Sequence, residues 1–167
     1  VSACGNGVAA PNEVCDDGDD VDGDGCDSNC TASACGNGVR DPSEVCDDGD
    51  ALDGDGCDSN CTPTECGNGV VTGIEECDEG DAVDGDGCDS NCTPTGCGNG
   101  VVTGDEACDD GDDVEGDGCD SNCTVSACGN GAVGPDEACD DGDLDDGNGC
   151  DSNCTPTGCG NGVPTAE

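Results

Sequence analysis

Apolar positions are sparse along this chain, and most of them are Cys, Val or Ala. They recur with one step of 31 residues. Cys4, Cys35, Cys66, Cys97, Cys128 and Cys159 form one series, and Cys15, Cys46, Cys77, Cys108 and Cys139 form a second. The series beginning at Cys26 and Cys30 keep the same step, with no insertion or deletion. A fixed period of this kind signals strung or stacked modules, not one globule around one site. The expected divisions are 4–34, 35–65, 66–96, 97–127 and 128–158, with 159–167 opening a sixth repeat. The chain opens at Val1 in mid-phase and carries no legible secretion signal, membrane span or lipidation motif, so it is expected to be a window on a longer array.

Each repeat opens Cys4-Gly5-Asn6-Gly7-Val8, and Asn-Gly predicts a turn because both residues tolerate positive φ. Val8 starts a variable, extended stretch. A second turn is expected at Pro11-Asn12 and its copies Pro42-Ser43, Gly73-Ile74, Gly104-Asp105 and Pro135-Asp136. Glu13-Val14-Cys15 would then return antiparallel, closing a minimal hairpin. The second half, Asp16 to Cys30, is too rich in Asp and Gly for regular structure and reads as a loop wrapped on something. The expected fold class is small, disulfide-rich and mostly irregular or β. It is a linear tandem array of five 31-residue modules with short β-hairpins and calcium-binding loops.

Composition sharpens this picture. The chain has no Phe, Trp, Tyr or Met, and a 31-residue unit without them cannot bury enough apolar area to offset chain entropy. Disulfides, metal ions or neighbours must hold it. Cysteine makes up 21 of 167 residues, which marks a disulfide scaffold and an oxidising, extracellular or cell-surface location. The spacing C-x10-C-x10-C-x3-C-x4, without His, lacks the close pairs of zinc sites. Four cysteines allow three pairings within a module. A Cys15–Cys26 bond would close the acidic loop, whereas a Cys30–Cys35 bond would staple consecutive modules.

Charge excludes some partners and suggests others. There are 43 acidic residues against one basic residue, Arg40, for a net charge of −42. Phosphate binding needs Lys and Arg, so neither nucleic acid nor anionic membrane is an expected partner, and no membrane insertion is expected. Cations are. The acids are locked in position across the repeats. Glu13, Glu44, Glu75, Glu106 and Glu137 share one position, and Asp16, Asp47, Asp78, Asp109 and Asp140 another. Asp19, Asp50, Asp81, Asp112 and Asp143 share a third. Asp24, Asp55, Asp86 and Asp117 share a fourth, where Asn148 still offers a carbonyl oxygen. Oxygen ligands separated by glycine are how a tight loop coordinates a hard cation, and Ca²⁺ tolerates such irregular geometry best. These four positions are the expected ligands, with at least one Ca²⁺ per repeat. Asp17, Asp22 and Asp27 would join them or support them, and Asn6 is read as a turn residue. One ion per module would remove only ten of the 42 charges (5 × 2).

The phrase C-G-N-G-V-x4-E-x-C-D-D-G-D-x2-D-G-D-G-C-D-S-N-C resembles the Myxococcus-type cysteine-rich tandem disulfide repeat, a secreted domain of unknown function. The likeness covers nearly the whole chain. It implies extracellular placement, disulfides and calcium sites, with no enzyme activity. The chain departs from the family pattern at Asp19, where Asn is common, and at Asp27. The Asp-Gly-Asp-Gly-Cys corner is also similar, over a shorter stretch, to thrombospondin type 3 calcium repeats.

The linkers are short and polar. Thr31, Ser33, Thr62, Thr64, Thr93, Thr95, Thr124, Ser126, Thr155 and Thr157 are candidate O-glycan acceptors. Asn29-Cys30-Thr31 and its copies formally fit N-x-[ST]. The functional expectation is an extracellular structural protein, a calcium-stabilised, disulfide-stapled stalk or filament segment that associates with copies of itself. The alternatives are a spacer or binding module of a surface adhesin, or an acidic cation-storage or mineral-binding protein. The missing aromatics weigh against a recognition surface. No enzyme is expected: His, Lys and Tyr are absent, and the acids are spread over equivalent modules.

Overall fold

A computed structural model of the chain describes residues 4–164. The last three positions of the expected sixth repeat, 165–167, lie outside the described residues. The chain divides into two units, Val1–Ala82 and Val83–Glu167. Each is built the same way.

In the first unit, Cys4 pairs with Cys30 and Cys15 with Cys26, and the nested arrangement returns as Cys35–Cys61 and Cys46–Cys57. In the second unit it returns as Cys97–Cys123 with Cys108–Cys119, and as Cys128–Cys154 with Cys139–Cys150. Every bond named here lies inside one 31-residue repeat. Cys35 and Cys61 are partners, so no Cys30–Cys35 bond staples consecutive repeats. Cys159 is a free, exposed thiol.

Among the described residues there is no helix and no extended strand, only isolated antiparallel bridges such as Cys26–Ala32 and Cys57–Pro63. The expected short β-hairpins are therefore absent. The turn that would have joined them does form. Glu13 N donates to Ala10 O and Glu44 N to Asp41 O, and the same bond recurs at Glu75, Glu106 and Glu137. What fails is the return. The amides of Val14 and Cys15 both donate to Cys30 O, as those of Val45 and Cys46 do to Cys61 O. Cys30 presents that carbonyl from left-handed backbone, φ 63°, and its copies Cys61, Cys92, Cys123 and Cys154 do likewise. The chain after the first turn is thus drawn to the Cys-Asp-Ser-Asn-Cys corner, where Cys30 N donates to Asp27 O and Asp27 N to Thr31 O.

The interior is correspondingly unusual. Cys26, Cys30, Cys57 and Cys61 are buried, and the most deeply buried side chain of each corner is an aspartate: Asp27, Asp58, Asp89, Asp120 or Asp151. Valines such as Val14 (76% exposed) and Ile74 (100%) face solvent, so aliphatic burial does not carry the fold. Covalent closure is left as the main constraint on the unfolded chain. Each inner disulfide joins residues 11 apart and each outer one residues 26 apart. On a loop-entropy basis those closures are worth about 3 and about 3.5 kcal/mol.

Non-reducing peptide mapping is expected to return only intra-repeat pairs, with Cys159 the one thiol open to alkylation. Replacing Cys108 and Cys119 together by serine should cost about 3 kcal/mol and loosen that repeat alone. Recovery of a Cys30–Cys35 peptide would contradict this arrangement.

Candidate cation site and the carboxylates around it

A carboxylate taken out of water must be hydrogen-bonded or neutralised. Asp27 is fully buried and solves this with three donors. Its Oδ1 accepts from Gly23 N (2.8 Å) and from the Ser33 hydroxyl (2.6 Å), and its Oδ2 accepts from the Asn37 amide of the following repeat. Asp58 is held in the same way by Gly54 N, Thr64 Oγ1 and Asn68 Nδ2, at 2.8, 2.6 and 2.6 Å. Asp89, Asp120 and Asp151 repeat the set with Asn99, Asn130 and Asn161. Because the asparagine comes from the next repeat, this contact couples neighbours. The same asparagine reinforces it by donating to a linker carbonyl, Ala32 O or Pro63 O, and Asn29 Nδ2 donates across to Asn37 O.

Two of the expected ligand positions are engaged by backbone. Both oxygens of Asp47 accept amides, from Gly36, Asn37, Gly38 and Gly49, at 2.8–3.2 Å. Asp78, Asp109 and Asp140 accept the equivalent four, and Asp16 accepts Asn6, Gly7 and Gly18. The opening Cys-Gly-Asn-Gly turn is therefore an anion-binding nest filled by the chain's own aspartate. Gly36 has to be glycine, since at φ 82° a Cβ would meet Asp50 O at 2.3 Å. Glu13 caps the second turn, its Oε2 accepting Ala10 N at 2.7 Å, and Glu44, Glu75, Glu106 and Glu137 do the same. In the last repeat Glu137 and Asp140 also lie together beside the Cys128–Cys154 disulfide, whose sulfurs are bonded to each other and not thiolate ligands.

The remaining two positions converge. Asp19 and Asp24 meet Asp17, with one carboxylate oxygen of each within 4.8 Å of the others, all three exposed. Asp48, Asp50 and Asp55 form the same trio. Asp17 is oriented by Cys26 N (3.1 Å) and Asp19 by Val21 N (2.9 Å). Desolvation, followed by the charges of Asp17 and Asp19, raises the carboxyl of Asp24 above the ordinary value. Asp55 and Asp117 are raised for the same reasons, by Asp48 with Asp50 and by Asp110 with Asp112. Asp86 and Asp81 are exposed. In the last repeat Asn148 stands where the acid would be and donates its amide to both oxygens of Asp143, at 3.1 and 3.2 Å. An amide donor thus takes the place at which the other trios offer a third negative charge. The carboxylate of Asp22 accepts Ser28 N at 2.8 Å.

The linker hydroxyls divide into two kinds. Ser33 Oγ donates to Asp27 and accepts Gly25 N, so a glycan there would replace the hydrogen bond to the buried carboxylate. Thr64, Thr95, Ser126 and Thr157 hold the same double role. Thr31 and its copies donate to the Asn29-type oxygen.

The coupling role of Asp27 and Asn37 was the part that sequence reasoning missed. Its signal lay at position 33, where Ser and Thr interchange and nothing else occurs, so that a hydroxyl is what is retained. Searches against protein-family models, curated proteins and solved structures each return no match to the chain.

The two classes of carboxylate give opposite pH dependence. The hydroxyl and backbone donors around Asp27, Asp58, Asp89, Asp120 and Asp151 hold these groups below the ordinary 3.8. Their stabilisation is complete above 3.8 and lost as pH falls from there through the lowered folded values. Asp24, Asp55 and Asp117 have raised values, so they destabilise the ionised protein and release that penalty as pH falls towards 3.8. Melting temperature in chelator should therefore rise on moderate acidification and then fall below 3.8. A monotonic fall from neutral pH would contradict the trio geometry.

Proposed function

We propose that this chain is a segment of an extracellular structural array, a calcium-stabilised and disulfide-stapled stalk or filament. The observation that carries this reading is the buried aspartate–asparagine contact between consecutive repeats, Asp27 to Asn37 and onward to Asp151 with Asn161. One contact of fixed chemistry at each step is what a regular array needs. Its disulfides suit an oxidising compartment, and among the described residues no helix is long and apolar enough to cross a membrane.

Calcium enters at the carboxylate trios. Three like charges gathered at the surface, in a chain with one basic residue, are a cost unless a cation offsets them. Asp17, Asp19 and Asp24 would be the ligands of the first repeat, with Asp48, Asp50 and Asp55 those of the second. Carbonyls and water would complete the shell of a hard ion. Glu13 and Asp16 would shape the loop from behind. The resemblance to secreted cysteine-rich repeats agrees with this assignment. The competing reading, a cation-storage or mineral-binding protein, rests on the net charge of −42 and predicts many weak sites.

Calorimetric titration of the oxidised protein with Ca²⁺ separates the two. The array reading expects saturation at a small number of ions per repeat and a clear loss of melting temperature in chelator. A site filled at about a hundredfold excess over its Kd adds about 2.7 kcal/mol. Asn148→Asp should add affinity in the last repeat, and Asp55→Asn should remove it from the second. Weak, unsaturable binding with unchanged melting would overturn the calcium assignment.

A further inference from the structure

Asn148 is followed by Gly149, and each coupling asparagine is also followed by glycine: Asn37-Gly38, Asn68-Gly69, Asn99-Gly100, Asn130-Gly131 and Asn161-Gly162, with Asn6-Gly7 at the first repeat. Asn-Gly is the step at which a backbone amide can attack the side-chain amide most freely, because glycine puts no side chain in the way. The nitrogen of the glycine bonds to Cγ of the asparagine and ammonia leaves, giving a cyclic imide. Water then opens the ring at one carbonyl or the other, to aspartate or isoaspartate. The balance is asparagine plus water giving aspartate plus ammonia, and no other reactant is needed.

The structure divides these steps into two classes. In five of them the attacking nitrogen is held. Gly7, Gly38, Gly69, Gly100 and Gly131 donate it to the carboxylates of Asp16, Asp47, Asp78, Asp109 and Asp140, at 2.7–2.9 Å. Removing that proton would break a charge-assisted bond and set a second negative charge against the first. At Asn37, Asn68, Asn99, Asn130 and Asn161 the leaving nitrogen is held too. Asn68 Nδ2, for example, donates to Asp58 (2.6 Å) and to Pro63 O (2.8 Å), while Asn68 Oδ1 accepts Val70 N. Asn148 differs on each count. It is exposed, and its amide contacts only the exposed Asp143 at 3.1 and 3.2 Å. Gly149 N donates to a neutral hydroxyl, Thr157 Oγ1, at 3.2 Å.

We propose that Asn148 is a site of spontaneous deamidation in the folded protein, whereas the coupling asparagines are protected by the fold. The aspartate product is the residue that the other repeats already carry at this position, in Asp24, Asp55, Asp86 and Asp117. The reaction therefore supplies the third carboxylate of the trio formed with Asp141 and Asp143, and removes the Asn148–Asp143 hydrogen bonds. At a coupling asparagine the same chemistry would set a carboxylate against buried Asp58 or its copies and uncouple the repeats. Protection there preserves the array. The assignment is independent of whether a cation occupies the trio.

The test is peptide mapping by mass spectrometry of oxidised protein aged at mildly alkaline pH, beside a reduced and denatured sample aged identically. Deamidation at Asn148 should outrun that at Asn37, Asn68, Asn99 and Asn130 by about tenfold or more, the factor that one charge-assisted hydrogen bond sets. In the reduced, denatured chain the difference should vanish. Equal rates in the folded protein, or an Asn148 rate no higher than the others, would overturn the proposal. So would a tenfold lead that persisted after denaturation, since the fold would not then be its cause.

Discussion

A buried carboxylate has few stable solutions, and the one adopted by Asp27 and its copies organises the rest of this molecule. Neutral donors meet the charge. A glycine amide, a hydroxyl and an asparagine amide supply them. The first comes from the acidic loop, the second from the linker and the third from the next repeat. Satisfying one aspartate therefore fixes three segments at once, and it sets the step at which a new repeat can begin. The turn that carries Asn37 is clamped by Asp47 through four backbone amides.

The fold thus replaces apolar burial with carboxylates and disulfides. Its large aliphatic side chains are mostly exposed, and its buried residues are mostly half-cystines and aspartates. Nested disulfides limit the unfolded chain, while hydrogen-bonded carboxylates choose among the conformations that remain. This explains how a chain of net charge −42 can be ordered without aromatic residues. Many of its acids accept backbone amides and act as local structure. Where Asp17, Asp19 and Asp24 converge, and again at Asp48, Asp50 and Asp55, exposed carboxylates stand together.

Much of this was legible in the sequence, and the misreadings have physical causes. The turn at Pro11-Asn12 was evident from its residue types, and the irregular second half from its Asp and Gly content. The expected hairpin does not form because the partner of Val14 and Cys15 is Cys30 O, presented by a left-handed cysteine that no propensity scale anticipates. The disulfide map was open because three pairings suit four cysteines equally well. Position-locked acids are the expected ligands, and capping a turn, as Glu13 does, or filling a nest, as Asp47 does, imposes the same lock. Asp19 and Asp24 are expected ligands that Asp17 would join or support, and one carboxylate oxygen of each of the three lies within 4.8 Å of the others.

The most direct test of this account is a double-mutant cycle across one repeat boundary, with Asp58→Ala, Asn68→Ala and the double variant compared by reversible unfolding of the oxidised protein. A coupling energy of about 1 kcal/mol or more is expected, because each single change leaves the other group buried and short of a partner. Additivity to within about 0.3–0.5 kcal/mol would contradict it, and would mean that the repeats are joined by little more than their linkers.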